Sequence, residues 1–168
     1  VIAALSPNNR WERNVQDAEN IVRAWNAGGI AAADEVKVCT YGKMKKKALD
    51  ILTLSARDDS RDILDILNGR KIKAFFACIV GIADLREQIS FKANEALDVC
   101  VDGHAYGIWQ GERMSMKDVP NIGVKLYLTV ADQYRAAADQ INRENGTDYT
   151  PAQIQAVTWV TWRRLHNV

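Results

Sequence analysis

The sequence predicts an all-α fold, compact and arranged around one core, and three observations carry that expectation. Apolar residues recur at threes and fours in the stretches 11–27 and 126–141 and again along the last part of the chain, the period of an amphipathic helix. No stretch alternates apolar and polar residues as a half-buried strand does. Gly, Pro and Asn stand where the apolar runs stop. With 168 residues of which 48% are hydrophobic, the chain suffices for one full core and is short for two. A single domain over residues 1–168 is therefore expected, with room for two lobes.

Taken in order, Val1, Ile2, Ala3, Ala4 and Leu5 form a short apolar piece, and Ser6-Pro7-Asn8-Asn9 reads as a turn with capping side chains. Trp11, Val15, Ala18, Val22 and Trp25 then mark a core helix that stops at Gly28-Gly29. A second short helix over 31–36 ends by Tyr41-Gly42. Ala48, Leu49, Ile51, Leu52 and Leu54 define an amphipathic helix whose first turn is lysine. Ser60 is placed to cap a helix over 63–68, Gly69 breaks it, and the apolar run 71–80 makes the next helix. The stretch 84–96 reads as a polar connection or surface helix. Asp102 follows an apolar segment and precedes Ala105-Tyr106-Gly107-Ile108-Trp109, the position of an N-cap. A loop at 114–120 leads to the helix 126–141, which closes near Asn145-Gly146. Thr150-Pro151 then opens a last helix carrying Ile154, Val157, Val160, Trp162 and Leu165.

Composition narrows the function classes. The net charge of +1 excludes a polycation that binds nucleic acid through its overall charge, so any such contact must come from local clusters. Two clusters exist: Lys43, Lys45, Lys46 and Lys47, and then Arg70, Lys71 and Lys73. Lysines at a helix N-terminus oppose the macrodipole, so the first knot does not serve helix stability; a phosphate partner would reverse its cost, and a solvated face screened by salt is the alternative. Cys39, Cys78 and Cys100 are odd in number and widely spaced, which argues against a disulfide framework and for a reducing intracellular compartment, cytoplasmic or nucleoid-associated. His104 and His166 have no Cys or acid at ligand spacing, so no metal site is expected, and no cofactor. No apolar run is long enough to span a membrane and no signal-peptide pattern opens the sequence. The chain opens on Val1 rather than Met, which leaves room for residues upstream. Trp159 and Trp162 beside Arg163 and Arg164 read as a core stripe with a basic helix end, stacking on bases being the alternative. His104 reads as a buried or capping histidine.

Four segments in one order resemble the helix-hairpin-helix DNA glycosylases, the superfamily of endonuclease III and the archaeal 8-oxoguanine glycosylases. Leu5-Ser6-Pro7-Asn8-Asn9 with Trp11-Glu12 and Asn14 resembles the opening Leu-Ser-x-Gln segment, and Tyr41-Gly42-Lys43 through Lys47-Ala48 resembles the segment where Gly precedes Lys-Ala and a helix. Gly69-Arg70-Lys71 with Phe76, Val80 and Gly81 resembles the hairpin and its following helix, and Val101-Asp102-x-His104 resembles the catalytic Val-Asp-x-His. Two positions depart from the pattern. Leu67 stands at the first Gly of the usual Gly-x-Gly-x-Lys hairpin, and Gly103 stands where a larger residue is common.

The resemblance implies a DNA glycosylase that extrudes a modified or damaged base from double-stranded DNA and cuts its glycosidic bond, acting as a monomer. Asp102 would stabilise the positive charge that develops on the sugar, or deprotonate a nucleophile. Lys71 matches the lysine that in bifunctional members attacks the sugar C1′ and gives abasic-site lyase activity. It must be neutral to do so, which burial against Phe75, Phe76 or Trp109 would favour, and Lys73 is the alternative inward lysine. Gly69, Arg70 and Lys73 at the hairpin, with Lys43, Lys45 and Lys46, would contact phosphates, although a tight turn between helices explains Gly69 equally. Asn8 or Asn9 occupies the place of the side chain that fills the vacated stack, and capping explains them as well. The rival functions are a non-catalytic DNA-binding module on the same fold, a glycosylase-fold enzyme of viral base hypermodification that releases no base, and a helical interaction protein without a nucleic-acid partner.

Overall fold

The computed structural model describes residues 1–55, 60–81, 97–115 and 117–167, and among these it is all-α, with eight helices and no strand. The expected element at 84–96 lies outside the described residues. The chain divides into two compact units, the first holding Val1–Phe76 and the second the described residues from Ala77 onward.

In the first unit, α1 (Ile2–Leu5) leads through a turn into α2 (Trp11–Glu35). Gly28 and Gly29 break α2, with φ −150° at the first and φ +66° at the second. The expected stop and the short helix beyond it are thus one helical run with a kink, which Gly29 permits because it lacks a Cβ. A Cβ built on Gly28 would stand 2.8 Å from Ala32 Cβ, so that position has no room for alanine.

The buried stripe of α2 is Asn14, Asp17, Ala18 and Ile21. It is turned by one residue from the stripe that the apolar spacing predicts: Trp11 is exposed and Val15, Val22 and Trp25 are half-buried. Two polar residues displace the apolar ones because both have interior work. Asp17, wholly buried, accepts from Arg13 Nε at 2.8 Å, from the backbone N–H of Cys39 at 2.8 Å and from Asn9 Nδ2 at 3.2 Å. Asn14 Nδ2 donates to the carbonyl of Ile2 at 3.2 Å. These bonds join α1, the turn after it and the loop before α3.

Helix α3 (Gly42–Ser55) buries Met44, Ala48, Leu49 and Ile51. Helix α4 (Ser60–Ile66) starts on Ser60 rather than after it and stops two residues earlier than expected, because Leu67 leaves the helix to become fully buried. Gly69 then takes φ +86°, which only glycine adopts cheaply, and its carbonyl accepts from Lys73 N–H to start α5 (Arg70–Val80). Leu5, Ile21, Ala33, Leu49 and Leu67 form the core, with Phe75 and Phe76 packed on its margin.

The second unit holds the end of α5, α6 (Gly103–Gln110), α7 (Val124–Asn145) and α8 (Pro151–His166). Thr150 and Gln153 form a reciprocal capping box with Pro151 at the first helical position, as the sequence predicts. Ala77, Leu97, Val99, Val101, Ala105, Tyr127, Val130, Ala131, Tyr134, Ala138 and Ile154 are buried in it.

Replacing Asp17 by alanine leaves the Cys39 N–H and the Asn9 amide without their buried acceptor. Asp17→Ala is expected to lower stability by about 3 kcal/mol, seen as a lower urea midpoint with the slope unchanged. Arg13 is half-exposed at its side chain, so Arg13→Ala should cost well under half of that. Equal losses in the two variants would show that the carboxylate serves only its ion pair.

Candidate functional site

The residues ahead of Asp102 turn at 97–98 and bend at 99 into a non-helical segment held by three side chains from α7 and α8. Tyr127 Oη donates to the Val99 carbonyl at 2.8 Å and accepts from the Val101 N–H at 3.2 Å. Gln155 Oε1 accepts from the Cys100 N–H at 2.9 Å, and its Nε2 donates back to the Cys100 carbonyl. Arg135 grips Asp98 with two nitrogens, Nε to Oδ2 at 2.7 Å, and also pairs with Asp132 at 2.6 Å. These carboxylates hold the Arg135 guanidinium well above its usual range, against the opposing effect of partial burial.

Asp102 ends that segment in extended conformation, half-buried, and caps α6 by accepting from the Ala105 N–H at 3.0 Å. The expected cap is therefore present. Tyr134 Oη donates to the Ala105 carbonyl at 3.3 Å. Burial pushes the Tyr134 hydroxyl up to about 12, a hydrogen bond to Thr158 opposes, and the negative charge of Asp102 adds to the rise. His104, expected to be buried or capping, is exposed in the first turn of α6, where no core surface faces it.

The remaining candidates, apart from the two tryptophans of α8, belong to the first unit. The Ser6–Asn9 turn is fastened on three sides: Ser6 Oγ donates to the Ala3 carbonyl at 2.9 Å, Thr40 Oγ1 to the Pro7 carbonyl at 2.6 Å, and Asn9 Nδ2 to Asp17. Asn9 is thus an internal strut, whereas Asn8 is exposed at the tip with φ +54°. In the lysine knot, Lys45 reaches back to Asp34, bonding its carbonyl and lying 3.3 Å from its carboxylate, and Lys46 pairs with Asp50 at 3.2 Å. Lys43 is exposed, its ammonium 5.8 Å from the centre of the Tyr41 ring. Arg70 and Lys73 are half-buried after Gly69, and Lys71 is exposed. The burial expected for Lys71 is absent, because it stands in the first turn of α5, ahead of the buried Ala74 and Ala77. Trp159 and Trp162 are half-buried rather than core, with the Arg163 guanidinium 4.9 Å over the Trp159 ring.

Sequence reasoning missed Tyr127, Arg135, Gln155, Asp98 and Asp17. Tyr127 and Tyr134, seven residues apart with Val130 and Ala131 between them, carried a helical signal that includes their hydroxyls. Gln155 had none. Among the described residues no three His, Cys, Asp or Glu side chains gather to hold a metal ion, and no helix is long and apolar enough to cross a membrane.

Fold and site together define a small all-α protein that presents a helix-capping carboxylate on a clamped segment in its second unit and basic turns in its first. The chain belongs to a family of unknown function, DUF7178, whose model matches residues 1–166. No curated protein and no solved structure matches it.

Cys78, whose Sγ lies 3.7 Å from the Leu97 carbonyl, has its thiol pushed up from 9.0 to about 12, by burial first and by Asp98 second, with the Cys100 N–H opposing. A raised folded-state value favours the neutral form, so its contribution is complete below pH 9 and is lost as pH rises toward 12. Tyr134 acts in the same direction between 10.0 and about 12. Stability is therefore expected to fall with rising pH above about 9, and Cys78→Ala to make that fall shallower, by chemical denaturation across the alkaline range. An unchanged slope in Cys78→Ala would remove this cause.

Proposed function

We propose that the chain excises a modified base from double-stranded DNA, as a glycosylase of the helix-hairpin-helix type. The observation that carries the reading is the half-buried Asp102 carboxylate on a segment whose backbone is bonded on both edges. Breaking an N-glycosidic bond sends the bonding pair to the departing base and leaves positive charge at the sugar C1′. A carboxylate stabilises that charge most when its position is fixed in advance. Asn8 at the tip of its fastened turn, the Gly69 turn with Arg70, and Lys43 are suited to contact the DNA backbone and the stack. Exposure suits Lys71 to a phosphate, and partial burial makes Lys73 the better candidate for an amine that attacks C1′ in a strand-cleaving reaction.

One observation favours a second reading, a DNA-binding module without chemistry: Leu67 is buried where the usual hairpin exposes a glycine, and the Asp102 side chain serves as a cap.

The test is base release and borohydride trapping on duplexes carrying a panel of modified bases and an abasic site. Asparagine caps a helix as well as aspartate, so Asp102→Asn keeps the fold, and a loss of base release of about a hundredfold or more reports on chemistry. A trapped adduct should disappear in Lys73→Gln and persist in Lys71→Gln. DNA binding with no release on any substrate would favour the module.

A further inference from the structure

Two segments far apart in sequence lie against each other in the first unit, residues 7–11 and residues 39–43. Thr40 Oγ1 bonds the Pro7 carbonyl at 2.6 Å, and one oxygen of Asp17 accepts from both Asn9 Nδ2 and the Cys39 N–H. Together they present two aromatic rings, Trp11 at 43% and Tyr41 at 53% exposure, two exposed cations, Arg10 and Lys43, and no acid. The next residue, Glu12, is already engaged in an interaction within the protein. Each ring is braced: Trp11 stands edge-on to Phe75 with centroids 6.3 Å apart, and the Lys43 ammonium lies over Tyr41.

We infer that this patch binds single-stranded DNA, bases stacking on Trp11 and Tyr41 while phosphates are drawn to Arg10 and Lys43. A flat apolar face next to an anion is the chemistry of a nucleotide, and aromatic rings alternating with cations match both parts at once. The exposed Asn8 amide, two residues before Arg10 in the same turn and at φ +54°, offers donor and acceptor to a base edge. Choosing DNA over RNA rests on the function proposed above, to which the patch adds an affinity for unpaired strand. An enzyme that acts on a base outside the stack takes it from single-stranded substrate or unpairs it from a duplex, and either presents unpaired bases.

Fluorescence anisotropy of the full chain with labelled oligothymidylate, oligouridylate and duplex tests this. Trp11→Ala and Tyr41→Ala should each weaken oligothymidylate binding about tenfold. Lys43→Gln should weaken it and flatten its salt dependence. Because Trp11 also braces Phe75, Trp11→Phe, expected to keep most of the binding, guards against a folding artefact. Ile30→Ala, exposed elsewhere in the unit, should change nothing. Folded alanine variants that bind as tightly as the parent overturn the inference, as does tighter binding of oligouridylate or of duplex alone. Asp102→Asn separates the two readings. Oligothymidylate binding without base release by the parent chain on any duplex leaves the patch standing and the glycosylase fallen. Base release lost in Asp102→Asn, with no single-strand binding by the parent, does the reverse.

Discussion

The first unit depends on a single buried carboxylate. Asp17 has no contact with water, and an ionised group so placed is tolerable only if donors surround it. Its donors come from α2 itself, from the turn after α1 and from the loop before α3. The chain cannot move either loop without stripping the carboxylate of a bond, so the positions of Asn8, Trp11 and Tyr41 follow from Asp17 although none of them touches it. Thr40, closing on Pro7, adds a second fastening to the same pair of segments.

The second unit solves a similar problem with two neutral side chains and one ion pair. The segment before Asp102 is held by a phenol and a carboxamide, each giving and receiving one hydrogen bond, and by the guanidinium on Asp98. Polar side chains on well-packed helices thus fix the segment that carries Asp102, while apolar packing holds the helices themselves. Such networks rigidify when their members are satisfied, and Tyr127 and Gln155 each make both a donor and an acceptor bond.

Much of this organisation was legible in the sequence where the signal is local. Gly69 announces a turn because of a conformation that only glycine takes cheaply, and Thr150-Pro151 and Asp102 announce helix starts through bonds spanning three residues. What escaped has no local signature. Cys39 reaches Asp17 across 22 residues and Cys100 reaches Gln155 across 55, and apolar spacing assigns Asn14 and Asp17 to solvent when they lie inside. For Lys71 and Lys73 the spacing could not choose which turned inward, since neighbours two apart on a helix point to different sides. Only the packing of α5 decides that Lys73 is the half-buried one.

Residues 99–101, after the turn at 97–98, have their backbone groups bonded as those of a strand would be, by side chains and not by a sheet. Residues 99 and 101 turn their polar groups to one edge, where Tyr127 meets them, and residue 100 turns its own to the other, where Gln155 meets them. Side chains therefore occupy the sites that a neighbouring strand would use. A run such as Val99-Cys100-Val101 with open edges would be a template for pairing with another chain. Here the helices close both edges, so in the folded protein this stretch is protected against intermolecular β-assembly by the same two residues that hold Asp102 in place.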